Sequence, residues 1–210
     1  MAIISLVFNA NGQDWKPVNG AKDVSNHYTL FINANIYLSN GNYLSNGQLL
    51  IQNEKIIAVG ENLTAPENTV KHDLDGNFIY PSFIELHSDF SIPKINAESS
   101  DGKPQLESKK HGPYYWNEAI KSEVNAIDLL QYDKKEAERF RKMGFGAVLS
   151  QQKDGIIRGT SVLLGLNDEK FGSILSEKAA FNYSFYKGSS KQDYPSSLMG
   201  MIALIRQTLF

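Results

Sequence analysis

The chain has 210 residues, 41% hydrophobic and 21% charged, with 21 Lys and Arg against 23 Asp and Glu for a formal charge of −2. No basic excess is there to collect phosphates, which argues against a nucleic-acid partner, and no apolar run reaches the ~18 residues of a membrane-spanning helix. Cysteine is absent, so disulfide scaffolds, thiolate zinc sites, thiol nucleophiles and iron–sulfur clusters are excluded together. Any metal has to be held by the four histidines (His27, His72, His87, His111) and by carboxylates.

Residues 2–8 form a short apolar run, and Ala10 and Gly12 then stand two apart before Gln13. Small residues in that spacing resemble an export cleavage site, so 1–13 reads as the remnant of a signal peptide and the protein as periplasmic or extracellular. The alternative is a frayed N-terminal strand in a cytoplasmic protein. Residues 14–27 are a polar lead-in. From Tyr28 the pattern is strand and turn, in short runs at 29–32 and 35–38. A six-residue near-repeat follows, Tyr37-Leu38-Ser39-Asn40-Gly41 and Tyr43-Leu44-Ser45-Asn46-Gly47, whose two Asn-Gly steps predict two tight turns. Strands are predicted at 48–51 and 55–59, and Asp75-Gly76 is expected to turn 71–74 back onto 78–80. The region 14–80 therefore reads as a small antiparallel sheet or β-sandwich domain.

Past Pro81 the period changes. Residues 82–90 read as one strand, followed by a polar excursion too long for an ordinary connection. Within it, Ala119, Ile120, Val124, Ile127 and Leu130 share one helical face and predict a helix over 116–130. Asp133, with Glu136 three residues on, has the form of a capping box. The helix it starts is expected to bury Ala137, Phe140 and Met143 and to end at Gly144. Phe145–Leu149 is the next strand, and strand, helical crossover, strand is the pattern of a parallel sheet. Strand-like runs follow at 156–157, 161–166 and 180–186. Ser196 or Ser197 caps a last helix, 198–210, apolar nearly all round and expected to be buried on more than one side.

Two segments resemble the metal-dependent amidohydrolase superfamily. Leu50-Ile51-Gln52-Asn53-Glu54-Lys55-Ile56-Ile57-Ala58-Val59-Gly60 is similar to the family's N-terminal strands, an apolar strand and tight turn before Lys-Ile-x-x-Val-Gly. About twenty residues later, Pro81-Ser82-Phe83-Ile84-Glu85-Leu86-His87-Ser88-Asp89 is similar to its Pro-Gly-Phe/Leu-Ile-Asp-x-His-x-His, on the first strand of a (β/α)8 barrel. In these stretches, over about residues 28–90 and more thinly beyond, the chain resembles exported amidohydrolase-like proteins of Bacteroidetes type. The resemblance implies an α/β protein with an N-terminal β-sandwich (14–80) and an incomplete (β/α)8 barrel (81–210). It also implies a divalent metal, zinc first, and a metal-bound hydroxide attacking carbon–nitrogen bonds other than peptides in a small-molecule substrate.

The motif has its own physical logic. Residues two apart on a strand face the same way, so His87 and Asp89 project together and can grip one ion from one side. The chain departs from the family in having Asp89 for the second His and Ser82 for the Gly, and no histidine follows His111. The 130 residues from Pro81 onward are about half the ~250 of a complete barrel. His87 and Asp89 are thus candidate metal ligands in a degenerate motif, with weak or absent metal and no activity expected of this chain alone. The alternative reading of His87 is a satisfied histidine at a strand end. The rival function is a non-catalytic scaffold or binding module that keeps the fold. The missing part of the barrel, or self-association, is the expected partner of the exposed apolar surface. Two lesser candidates remain. Ile157–Ser161 is similar to an anion-binding turn but reads as a surface hairpin, and Lys109-Lys110-His111 with Tyr114, Tyr115 and Trp116 reads as a loop over the barrel mouth. His27 and His72 read as surface residues.

Overall fold

The computed structural model describes residues 27–38, 40–53, 55–96, 105–108, 111, 116–168 and 172–210. The export segment and Lys109, Lys110, Tyr114 and Tyr115 lie outside the described residues. The chain divides into two compact units, Met1–Pro81 and Ser82–Phe210.

The first unit holds strands β1 (Tyr28–Tyr37), β2 (Tyr43–Gln52), β3 (Lys55–Gly60), β4 (Val70–Asp73) and β5 (Phe78–Ile79). They make one sheet in the order β3-β2-β1-β4, with β5 also on β1. The two short runs at 29–32 and 35–38 are a single strand interrupted by a bulge at Asn33, whose φ is 54°. Only the first Asn-Gly step is the hairpin turn, closed by Gly41 N–H donating to Leu38 O at 3.0 Å. The second lies inside β2 as an irregularity, with Gly47 packed so closely on Leu44 that a Cβ there would displace the Leu44 side chain. Asp75-Gly76 does not fold β4 back onto β5. Both strands run parallel to β1, and the turn between them matches the β1 bulge, with Gly76 N–H donating to Asn33 O at 2.8 Å. An extra residue in one strand needs slack in its neighbour, and that is what the Asp-Gly turn supplies. The unit is therefore one mixed sheet among the described residues, where a sandwich or antiparallel sheet was expected. Ala34, Ile36 and Leu49 are its buried centre.

The second unit contains β6 (Phe83–Ser88), a 3₁₀ turn (Ala126–Leu129), α1 (Lys134–Lys142), β7 (Phe145–Ser150), β8 (Ile157–Gly165), β9 (Ile174–Tyr183) and α2 (Leu198–Leu209). The sheet order is β6-β7-β8-β9. β6 and β7 are parallel, as the crossover through α1 requires. The strands after β7 are antiparallel hairpins. The β/α alternation of a barrel therefore stops after one unit among the described residues, and a barrel is not evident.

Asp133 caps α1 as expected, its side chain accepting from the amides of Lys135 and Glu136. The box is not reciprocal, because the Asp133 amide donates instead to Ser91 Oγ at 3.0 Å. Ala137 is buried and Gly144 ends the helix at φ 93°, but Met143, at the C-cap, stays exposed. Asp133→Ala should lower stability by about 1 kcal/mol, read as a shift in the urea midpoint at unchanged slope.

Residues 116–130 do not form the expected helix. Ala119, Ile120, Ala126 and Leu130 are buried, yet the chain runs along β8 in turns, bridging Ile120 to Ile157 and Asn125 to Thr160, and only the 3₁₀ turn Ala126–Leu129 is helical. The backbones can approach because Gly155 and Gly159, at φ 87° and 76°, leave no Cβ in the way. Ile157–Ser161 is part of buried β8 and is not a surface hairpin. Ser197 caps α2 by accepting from Gly200 N–H. Only Leu204 of that helix is buried, while Leu198, Met199, Ile202 and Leu209 are exposed, against the expectation of burial on several sides.

Candidate functional site

Because β6 and β7 are parallel, their C-terminal ends lie at the same edge of the sheet. β6 runs out through His87 and Asp89. β7 runs out into Gln151-Gln152-Lys153-Asp154, of which Gln151, Gln152 and Asp154 are buried. The Gln151 amide donates to Ser88 O at 3.0 Å and holds the two exits together. Two side-chain rungs then cross between them. Gln151 Nε2 lies 2.9 Å from His87 Nδ1, and Lys153 Nζ lies 3.2 Å from Asp89 Oδ1. Each rung joins residues two further along both chains, so the side chains of His87 and Asp89 are matched by a same-facing pair opposite.

The first rung constrains the imidazole. The contact ties the ring to the β7 exit through Nδ1. His87 N–H donates to Glu85 Oε1 at 2.9 Å, which fixes the strand end further. Around Asp89, burial alone would raise the carboxyl pKa. The Lys153 hydrogen bond and charge, with Lys94 at 4.0 Å from Oδ2, outweigh it and hold the group below its ordinary value. Two buried polar atoms at the end of β7, Ser150 Oγ and Gln151 Oε1, lack a hydrogen-bond partner. Native proteins keep few such atoms, and they concentrate where something else is to be met. An open cleft bounded by Asp89, Ser91, Lys94, Gln131, Asp133 and Glu136 lies on the Asp89 side of the strand ends.

Asp154 faces inward. Its carboxylate pairs with Lys121 and accepts from Ser189 N–H at 2.6 Å and Ser189 Oγ at 2.8 Å. Burial raises its pKa, but Lys121 and the Ser189 donors prevail and the group is held low. Arg158, also buried, donates to Gly155 O and Ser184 Oγ. Burial lowers its pKa against the raising charge of Asp154.

The residues that sequence reasoning passed over are Gln151, Lys153, Asp154 and Lys121. One signal was available for the first three: a polar run directly after the apolar strand 145–149, with Gln151 and Lys153 two apart like His87 and Asp89. His72 stacks on Phe31 at 5.4 Å and His111 is exposed; neither joins the site. Trp116 stacks on Tyr194 at 6.3 Å.

Residues here do not fit a divalent ion as they stand. Among the described residues no three His, Cys, Asp or Glu side chains converge. Zinc sites use at least three protein ligands, whereas His87 Nδ1 is already engaged by Gln151 and Asp89 faces two ammonium groups.

No family model matches the chain, and no curated protein matches it. Among solved structures, an amidohydrolase from Thermotoga maritima MSB8 superposes with a TM-score of 0.61 at 23% identity, over 85% of this chain and 46% of that one. The chain shares part of that amidohydrolase's fold. A prolidase bound to N-methylphosphonate-L-proline (24% identity, TM-score 0.29) covers 33% of this chain and 17% of that one. Another amidohydrolase (27%, TM-score 0.26) covers 29% and 15%. The chain thus spans less than half the length of the amidohydrolase whose fold it shares. No helix among the described residues is long and apolar enough to cross a membrane.

Proposed function

We propose that the chain is the N-terminal part of an amidohydrolase-like hydrolase acting on carbon–nitrogen bonds other than peptides, and that this chain alone is inactive. The observation that carries the reading is the pair of parallel strand ends, where His87, Asp89, Gln151 and Lys153 meet at one edge of an amidohydrolase-like sheet. In open α/β sheets, ligands bind outside the carboxyl ends of the strands. Support for incompleteness comes from apolar groups left in water: Phe83, Ile84 and Leu86 on edge strand β6, and Leu198, Met199, Ile202 and Leu209 on α2. A further barrel portion or a second copy would cover them, since exposed apolar patches of this kind drive association.

The test is hydrolysis of a panel of cyclic amides, N-acyl amino acids and ureas by the 210-residue chain and by a chain extended through the downstream codons. Turnover by the extended protein and none by the short one is the expected result. Inactivity of both across the panel, with the extended protein folded, would overturn the hydrolase reading. The Lys153–Asp89 ion pair favours a second reading, a scaffold or binding module that keeps the fold. We also propose export with a mature end near Gln13, which N-terminal sequencing from native cells decides; an intact Met1 or Ala2 overturns it.

A further inference from the structure

We infer that the Lys153 ammonium is a resident cation, occupying the place opposite Asp89 that a divalent metal would take, so that the strand-end site is closed by its own side chain. The inference rests on the amidohydrolase-like reading of these two strand ends, and its evidence is local. Lys153 Nζ is 3.2 Å from Asp89 Oδ1, and both side chains are 34% exposed. An exposed ion pair is ordinarily worth little because both long side chains must be immobilised. Here the stem of Lys153 springs from a backbone fixed on either side by buried Gln152 and buried Asp154. Lys94, by contrast, reaches the same carboxylate only at 4.0 Å from an 81% exposed position. The neighbouring rung adds to the closure, since Gln151 Nε2 lies 2.9 Å from His87 Nδ1 and occupies that face of the ring.

An ammonium neutralises one carboxylate charge but has no vacant coordination position. It can neither polarise a carbonyl nor lower the pKa of a bound water as a metal does. What it does is pin the β7 exit to the β6 exit through a pair that any incoming dication would have to break, against the repulsion of a like charge.

Zinc titration of the 210-residue chain by calorimetry tests this, comparing wild type with Lys153→Met, Lys153→Gln and Lys94→Met. Removing the Lys153 charge should tighten zinc binding about tenfold or more, the scale of one like charge a few ångströms away. Lys94→Met should change it by less than about threefold, given its greater distance and exposure. Adding Asp89→Asn to either Lys153 variant should cancel the gain. Wild type binding zinc as tightly as the Lys153 variants overturns the inference, and so does a folded Lys153→Gln chain with no gain. Should Lys153→Met melt without cooperativity, the Gln variant, which keeps a polar stem, decides alone. Hydrolysis is read separately. Tight zinc in wild type would sink the resident cation while strengthening the hydrolase reading, and a zinc gain with an inactive extended protein would do the reverse.

Discussion

Lys121→Met is expected to remove about 3–5 kcal/mol of stability, because it strands a carboxylate that cannot reach water. Asp154 is 4% exposed, and Lys121 and Ser189 together satisfy it. Breaking a buried pair from one side costs far more than the pair contributes when intact, since the remaining charge keeps its desolvation penalty. The pair also ties three separated segments together, at 121, 154 and 189, so the loss should be cooperative and visible in the whole unit's urea transition. The pH dependence has a definite sign. Asp154 is held below its ordinary 3.8 in the folded chain, so the unfolded state binds its proton first as pH falls. Its contribution is complete above that ordinary value and is lost as pH drops through the lower folded one. Urea melts of wild type at pH 7 and pH 3 should therefore differ by more than those of Asp154→Asn, which has no such proton to bind. A Lys121→Met chain within about 1 kcal/mol of wild type would show that water reaches the carboxylate after all.

How far the sequence carried the fold can be traced at particular residues. The Asp133 cap and the parallel pairing of β6 with β7 were legible because each depends on local chemistry or on a rule of connection. The helix expected over 116–130 was not legible. Its apolar spacing is real and Ala119, Ile120 and Leu130 are buried, but burial against a neighbouring strand can satisfy the same positions without a helix, and tertiary pairing with β8 decided the matter. The second Asn-Gly step failed for a related reason: positive φ suits a bulge as well as a turn, and only the partner strand distinguishes them. At the site, the His87 and Asp89 positions were found from the β6 motif. Their partners Gln151 and Lys153 were missed because they lie 64 residues downstream and become neighbours only through the parallel register. Asp89 itself reads differently with Lys153 beside it. A carboxylate that counts as a ligand in sequence is already half of an ion pair in space.

The same contrast between local and tertiary causes separates two glycines of the second unit. Gly159→Ala should cost about 3 kcal/mol or more, and Gly172→Ala only about 1 kcal/mol. Both have left-handed backbone, at φ 76° and 88°, so both substitutions carry the strain of placing a Cβ there. At Gly172 the nearest atom to that Cβ is Asn167 Nδ2 at 3.9 Å, an ordinary contact. At Gly159 the Cβ would fall inside the surface of Val124 O, 2.9 Å from the carbonyl carbon and 3.0 Å from Lys121 O. Those neighbours are backbone, and they are engaged: Thr160 N–H donates to Val124 O at 2.9 Å, and Lys121 N–H donates to Ile157 O at 2.7 Å. Relieving the clash means moving the 119–125 segment off β8, with buried Ile120 on it. The same movement would pull Lys121 from Asp154, so the loss should couple to the ion pair. Urea unfolding of both variants in the same protein measures the difference directly. Equal losses at the two positions would mean that backbone angle accounts for everything and that the 119–125 segment does not press on β8 in solution. A larger loss at Gly159, non-additive with Lys121→Met, would place the close approach and the buried pair in a single cooperative structure.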